Sequence, residues 1–206
     1  MSNYSFYPTL LNDFSNYKFE RMLGESFMLC NENQLIDKLN RVPYPQTEPM
    51  LRGIAFEKAL QNKIYKSDGF EFEMSVIDEM IPLVEGGFWQ TFVECEIMVD
   101  GHRVRLYGYI DVVRRNQCID TKTTKQYEWP KFKDCFQHHV YLLGANSCGI
   151  LLNHHQYLVT DFKHVYKEDY FLDVDLMTGQ LQNICRDLIF FIEAKRHLIY
   201  NEKLFA

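Results

Sequence analysis

Two aspartates and one lysine lie where a short β-hairpin would bring them together. Valine and isoleucine residues flank a polar centre at Arg115-Asn116, and this pattern predicts a strand, a turn and a second strand. With the turn centred there, Asp111 lies opposite Asp120. Lys122 lies beside Asp120 because residues two apart on a strand share a face. The sequence therefore predicts one cluster of two carboxylates and an ammonium group.

Such a cluster suits metal-assisted phosphate chemistry. Two carboxylates this close repel each other unless a cation lies between them, and oxygen-rich clusters suit Mg²⁺ or Mn²⁺. The lysine would donate to a phosphate oxygen or to an attacking water. The neighbouring Ile110, Val112, Ile119 and Thr121 are expected on the opposite face. A surface hairpin with a solvated charge cluster would use the same residues, and the hairpin alone does not decide between the two interpretations.

Motifs on both sides of the hairpin carry a resemblance to a known family. Upstream, Glu57 follows Arg52 and Gly53. Downstream, Gln137 and Tyr141 are four residues apart, which places them on one face of a helix. With the Asp111 and Asp120-Thr121-Lys122 cluster between them, this order resembles the PD-(D/E)XK nucleases. Within that superfamily it is similar to the RecB-like and lambda-exonuclease-like branch, which has a QxxxY motif.

The resemblance covers nearly the whole chain, from about Tyr7 to about Lys195. Residues 7–14, YPTLLNDF, are similar to the opening helix of many RecB-like nucleases. One position departs from the pattern, because Ile110 stands where the superfamily's signature proline precedes the first aspartate. The resemblance implies an α/β fold with a restriction-endonuclease-like core, a central mixed β-sheet flanked by helices. It also implies a single nuclease domain over residues 1–206, with an N-terminal helical part at 1–50 and a catalytic core at 51–206.

The resemblance assigns roles to individual residues. The implied catalytic residues are Glu57, Asp111, Asp120 and Lys122. The implied ligands of Mg²⁺ or Mn²⁺ are Glu57, Asp111, Asp120 and the backbone carbonyl of Thr121. The expected DNA contacts are Arg52, Gln137 and Tyr141. Lys125 and Lys131 are also expected at DNA, because they follow Lys122 in a stretch where lysines, which neutralise phosphates, alternate with aromatic residues. A solvated loop is the alternative there. Two further alternatives stay open. Glu57 could be a surface residue, and Tyr141 could be a core residue with Gln137 hydrogen-bonded inside the protein.

The implied function is a metal-dependent DNA nuclease, an exonuclease or end-processing enzyme of recombination, repair or phage DNA metabolism. A structure-specific or nicking endonuclease and a catalytically silent DNA-binding module of the same fold are the alternatives. DNA is the expected partner, with a recombinase or single-strand-annealing protein and a homo-oligomer as further hypotheses. The intact acid–acid–lysine set disfavours the silent module.

Length and composition predict one compact intracellular domain, and the resemblance implies the cytoplasm of a bacterium or of a phage-infected host. The 206 residues, 47% of them hydrophobic, are enough for a sizeable core. The sequence has neither an apolar run that could cross a membrane nor a signal pattern. Six cysteines without a CxxC pair indicate reduced thiols. Some RecB-like nucleases hold an iron–sulfur cluster with one early and three late cysteines, and with only Cys185 late in the chain no such cluster is expected.

The net charge of −6 disfavours broad adhesion to nucleic acid but permits a local basic groove. Periodicity and turn signals predict the elements that would build such a site. The predicted helices are Thr9 to Arg21, Gly53 to Tyr65, Trp129 to Leu143 and a last helix capped by Thr178. The predicted strands are Gln90 to Val99, Arg103 to Val113, Cys148 to Leu152 and Tyr157 to Tyr166, with an Asp100-Gly101 turn joining the first two.

Overall fold

A long β-hairpin lies at the centre of the molecule. The computed structural model describes residues 3–23 and 31–205. In these ranges the strands are β1 (Asn3–Phe6), β2 (Lys66–Ser67), β3 (Phe70–Glu71), β4 (Phe88–Val99), β5 (His102–Arg114), β6 (Gln117–Thr123), β7 (His154–Thr160) and β8 (Val165–Phe171). The α-helices are α1 (Pro8–Leu23), α2 (Glu32–Leu39), α3 (Glu48–Asn62), α4 (Met74–Val84), α5 (Gln137–Ser147) and α6 (Val174–Ala194).

The hairpin of β4 and β5 carries the rest of the sheet. Val99 pairs with His102 across a turn in which Asp100 and Gly101 have φ of 46° and 83°, as a two-residue hairpin turn requires. On its other edge, β5 pairs first with β1 in parallel orientation and then, further along, with β6 in antiparallel orientation. Parallel β7 and antiparallel β8 follow β6. The predicted fold class, a central mixed sheet flanked by helices, is confirmed.

The second hairpin has the predicted register. Val112 pairs with Ile119 and Arg114 with Gln117, so the turn is centred on Arg115-Asn116. The next step of this register sets Asp111 against Asp120. The backbone ladder between β5 and β6 ends just before that step, which leaves both aspartates at the point where the two strands separate.

Two hydrophobic cores lie on the two faces of the sheet. The first contains residues of α1, α5 and α6, such as Leu10, Leu142 and Leu188. The second lies beneath α3 and α4, whose Phe56 and Ile77 pack with residues of β5, β6 and β7. The helices α3 and α4 therefore cover the part of the sheet next to the separating strands, and α3 brings Glu57 to this place.

The segment before α5 is a loop, and the predicted helix start at Trp129 is wrong. The helix begins at Gln137. The buried carboxylate of Glu168 accepts hydrogen bonds from the backbone amides of Lys131 and Phe132 at 3.0 and 2.9 Å. The amide of Phe136 would pair with the carbonyl of Phe132 in a helix that began at Trp129, but it donates to the side chain of Asn12 at 2.7 Å instead.

Residues 148–152 do not form the predicted strand. The side chain of Asn146 donates to the carbonyl of Leu152 at 2.6 Å, and the amide of Ile150 donates to the carbonyl of Ala145 at 2.9 Å. These bonds fold the segment back onto the end of α5. The predicted strand from Tyr157 to Tyr166 is two strands, β7 and β8, joined by a turn in which Asp161 accepts from the amide of His164 at 2.7 Å.

The start of the last helix and the number of elements also differ from the prediction. Asp173, and not Thr178, caps α6 by accepting from the amide of Leu176 at 3.0 Å. The structure adds β1, α2 and α4, none of which the sequence patterns indicated.

The five cysteines within the described ranges are free thiols, and Cys30 lies outside those ranges. Among the residues that the structure describes, no helix combines the length and apolar character that crossing a membrane requires.

Candidate active site

Asp120 and Lys122 on β6 form the centre of the site. The carboxylate of Asp120 is only 1% exposed and makes an ion pair with the ammonium of Lys122 through Oδ2. Its Oδ1 accepts from the side-chain amide of Gln137, the first residue of α5, at 3.2 Å. Burial raises the pKa of Asp120 to about 7, against the attraction of Lys122, and the negative charges of Asp111 and Glu57 add to the rise.

Asp111 is held at the place where β5 and β6 separate. Its Oδ2 accepts from the backbone amide of Thr121 at 2.8 Å and from the Thr121 hydroxyl at 3.2 Å. Burial raises its pKa, and the ammonium of Lys122 and the two bonds from Thr121 oppose that rise. The prediction that the Thr121 side chain points away from the aspartates is wrong, because its hydroxyl contacts Asp111. The separating strands allow this contact.

The backbone changes face at Asp111. Ile110 packs in the first core, whereas Val112 and Ile119 pack in the second. The expectation that all three share a face is therefore wrong for Ile110. A regular strand sends residues two apart to the same side, so the ladder is irregular between them. Gln90, which faces Asp111 in the β4–β5 register, has a φ of 53° and interrupts the pairing there.

Gln90 is a site residue that the sequence analysis missed. Its side-chain amide donates to Oε1 of Glu57 at 2.7 Å and also hydrogen bonds Asp111, so it links a helix carboxylate to a strand carboxylate. Burial raises the pKa of Glu57, and the charge of Asp111 raises it further. A signal for Gln90 was present, because a hairpin that turns at Asp100-Gly101 sets position 90 opposite position 111.

The three carboxylates interact through their charges but do not form a closed cage. In residues 3–23 and 31–205, no three His, Cys, Asp or Glu side chains converge closely enough to hold an ion. Each carboxylate has a protein donor instead, Gln90 for Glu57, Thr121 for Asp111, and Gln137 with Lys122 for Asp120. The donor set still fits a hard divalent cation, since it consists of oxygens with an excess of negative charge. The Oδ2 atom of Asp120 is buried, and its partner is the ammonium of Lys122.

The residues of the QxxxY motif both reach the site. Gln137 donates to Asp120 and also lies 3.4 Å from the Tyr141 hydroxyl. The ring of Tyr141 is buried against Gly108, where an added Cβ would lie 2.8 Å from Tyr141 Cε1. This close approach explains the glycine two residues before Ile110 in β5, because any side chain there would displace the tyrosine.

The cationic residues expected at DNA have different environments. Arg52 stacks its guanidinium on Phe162, with Cζ 4.0 Å from the ring centroid. Lys131 donates its amine within its own loop, to Thr124 Oγ1 at 2.8 Å and to the carbonyl of Gln126 at 2.7 Å. Lys125 is exposed on the same loop. The stack and the loop bonds give Arg52 and Lys131 structural partners, whereas the Lys125 side chain extends into solvent.

The fold is shared with proteins of known structure. No protein-family model matches the chain, and no curated protein matches it. The crystal structure of a putative exonuclease from Eubacterium rectale is similar with a TM-score of 0.56 and 14% identity, over 94% of this chain and 82% of that protein. The crystal structure of SSO0001 is similar with a TM-score of 0.53 and 14% identity, over 88% of this chain and 75% of that one. At this identity the likeness shows only that the three proteins share a fold.

Proposed function

We propose that the protein is a metal-dependent DNA nuclease that acts as an exonuclease or end-processing enzyme. The observation that carries the proposal is the burial of Asp120, paired with Lys122, beside Asp111 and Glu57. A solvated surface hairpin would expose Asp120, whereas its carboxylate is 1% exposed. Three carboxylates with raised pKa values around one lysine, one of them fully buried, are typical of a functional site, since their charges cost folding energy.

Each residue has a task that follows from its contacts. Lys122 would donate to a non-bridging phosphate oxygen or orient the attacking water, and its positive charge would offset the charge that develops on phosphorus. Gln137 fixes the carboxylate of Asp120, and Thr121 fixes that of Asp111. Gln90 orients Glu57 towards the aspartates. Tyr141, next to Gln137, would position the bound strand.

The oxygens of Asp111, Asp120, Glu57 and the Thr121 carbonyl would hold Mg²⁺ or Mn²⁺. The ion would neutralise the scissile phosphate and promote ionisation of the attacking water. Cleavage of DNA is therefore expected to require Mg²⁺ or Mn²⁺ and to stop when excess chelator is added, with Ca²⁺ giving little turnover. Nucleotide release from labelled DNA measures this requirement, and undiminished hydrolysis in chelator would contradict the proposal.

The form of the DNA distinguishes the proposed enzyme from its alternatives. An exonuclease or end-processing enzyme degrades linear DNA and leaves closed circular DNA intact. A nicking or structure-specific endonuclease cuts circular or branched DNA, and a silent binding module shifts the mobility of DNA without cutting it. Incubation of the metal-loaded protein with linear, circular and branched substrates, followed by gel electrophoresis, therefore separates the three functions.

Glu57→Gln is expected to lower the metal-dependent cleavage rate by about 10- to 100-fold, a loss typical of residues that tune a metal site. The variant keeps the size of the side chain and removes one negative charge from the cluster. The measurement is the cleavage rate as a function of Mn²⁺ concentration, which should show a higher half-saturating concentration. Glu79→Gln on the exposed face of α4 is the matched control and should behave as the parent. Parental metal dependence of Glu57→Gln would remove Glu57 from the site.

A further inference from the structure

One half of the sheet face that carries the site is not covered by helices. Along β5, Val104, Leu106 and Ile110 point into the first core. The alternate residues lie on the opposite face, and the last of them is Asp111. The helices α3 and α4 cover this face only beyond Asp111, over Val112 and the strands that follow. The uncovered half therefore ends directly at the acidic site.

Aromatic side chains occupy this uncovered half. Tyr109, two residues from Asp111, is 54% exposed, and its cross-strand neighbour Phe92 is 40% exposed. Their ring centroids are 5.2 Å apart. Tyr107 precedes Tyr109 on the same face. Residues two apart on a strand are separated by about 6.8 Å, so the rings form a row that leads towards Asp111.

A groove of about 660 Å³ continues the row. Tyr107, Tyr109 and the exposed Tyr44 line it, together with Tyr7 and Tyr141. Tyr141 of the QxxxY motif lies between this groove and Gln137, which donates to Asp120. One end of the groove is therefore a single side chain away from a residue of the acidic site. We name the rings of Tyr44, Phe92, Tyr107 and Tyr109 the aromatic platform; Tyr107 is half-buried, and the other three are exposed.

The charge of the groove is opposite to that of the whole chain. Its charged lining residues, in the part of the chain that the structure describes, are Lys38 and Arg41, whereas the chain carries a net charge of −6. Lys38 is neutralised by Asp13. Arg41 lies at the rim, where it donates to the Tyr107 hydroxyl at 2.5 Å and has no acidic partner among these lining residues. The groove thus combines aromatic faces with a cation, which suits a polyanion with exposed bases.

We propose that the aromatic platform binds the unpaired bases of a DNA single strand and directs that strand to the acidic site. This inference rests on the proposed nuclease function and adds the form of the substrate. Base stacking on aromatic faces requires unpaired bases, and it tolerates any sequence because every base has a π-face. Paired bases inside a duplex cannot reach the rings of Tyr109 and Phe92. Arg41 would neutralise a backbone phosphate.

The test is the binding of a fluorescein-labelled single-stranded thymidine 20-mer, followed by anisotropy in excess chelator so that no cleavage occurs. Tyr109→Ala is expected to raise the Kd about 5- to 100-fold, and the double variant with Tyr44→Ala more. Tyr109→Phe keeps the aromatic ring and should stay within about twofold of the parent. Phe190→Ala is the matched control, because Phe190 is 79% exposed on α6, beyond the other face of the sheet. The two substituted tyrosines, Tyr44 and Tyr109, are exposed, and circular dichroism verifies that the variants fold.

The outcomes separate this inference from the proposed function. Unchanged Kd values in Tyr109→Ala and in the double variant, or no binding of the 20-mer by the parent, would overturn the platform even if the enzyme cleaves duplex DNA. Equal losses for Tyr109→Phe and Tyr109→Ala would overturn stacking as the cause. If the platform variants alter the sedimentation coefficient and leave the Kd unchanged, the surface binds a second copy of the chain instead. Ring-dependent binding without cleavage under any metal condition would support the platform and contradict the nuclease.

Discussion

Asp120→Asn is expected to lower the rate of DNA cleavage by about 10²–10³-fold, the loss typical for removal of one preorganised electrostatic group. The substitution keeps the shape of the side chain and the hydrogen bond from Gln137, since the asparagine oxygen can still accept it. It removes the buried negative charge that pairs with Lys122. The single-turnover rate on labelled DNA, at saturating Mn²⁺, measures the loss.

The same variant has a second expected result in the metal-free protein. The pKa of Asp120 is raised by burial to about 7, from an ordinary value near 4. Between these values the folded state binds more protons than the unfolded state, so the stability of the parent falls as pH rises from about 4 to about 7. Asparagine does not titrate, and thermal unfolding in chelator should show a weaker fall for Asp120→Asn. The exposed Asp175→Asn on α6 is the control and should match the parent in both measurements.

Cleavage by Asp120→Asn at the parental rate would show that the buried charge has no part in catalysis. Loss of cleavage together with unfolding at every pH would instead assign a structural role to Asp120. Both measurements are therefore needed on the same preparation, and the expected combination is lost cleavage in a folded protein whose stability depends less on pH.

The centre of the site was predictable because it depends on local geometry. The Arg115-Asn116 turn sets the register of two short strands, and strand periodicity then brings Asp111, Asp120 and Lys122 together. The mixed sheet with flanking helices followed from the family resemblance. These features can be predicted from the residues of the turn, the alternation of apolar and polar residues along the strands, and the order of the motifs.

The rest depends on contacts between distant parts of the chain. Gln90 acts through a positive φ that interrupts the ladder at Asp111, and alternation alone does not predict such an interruption. The loop before α5 depends on the buried carboxylate of Glu168, a residue about forty positions away, which accepts the amides of Lys131 and Phe132. The sequence pattern predicted a helix from Trp129 because helix propensity depends on local sequence and contains no information on tertiary hydrogen bonds.

The sequence also did not predict that the helices cover the sheet face only beyond Asp111. The helix α4 was not predicted, and without it nothing indicates that the sheet beyond Asp111 is buried while Tyr107 and Tyr109 remain accessible. A site at such a boundary has one buried wall, which shifts the pKa values of its carboxylates, and one open wall for a large substrate. The position of α3 and α4 therefore explains both the electrostatics of the site and its access.

Lys122→Met is expected to reduce cleavage by about 10² or more, because methionine keeps much of the apolar stem and removes the ammonium group. The variant should also be less stable at neutral pH, since the buried Asp120 loses its counter-ion. Removing one partner of a fully buried ion pair costs about 3–5 kcal/mol. The cost is smaller here because the Lys122 side chain is 27% exposed, and protonation of Asp120 reduces it further at acid pH. Cleavage rates together with thermal unfolding at pH 5 and pH 8 measure the two effects.

The double variant Lys122→Met with Asp120→Asn separates catalysis from folding. It contains neither member of the ion pair, so its stability at pH 8 should recover part of the loss, because the buried charge of Asp120 is gone as well. The recovery should be incomplete, since Asp111 also loses the positive charge of Lys122. Its cleavage rate should stay as low as that of either single variant, because residues that act as a unit are not additive. Lys167→Met, an exposed lysine on β8, is the control for loss of one positive charge. Recovery of cleavage along with stability would mean that Lys122 serves only to neutralise Asp120. The catalytic roles assigned to Asp120 and Lys122 would then be wrong.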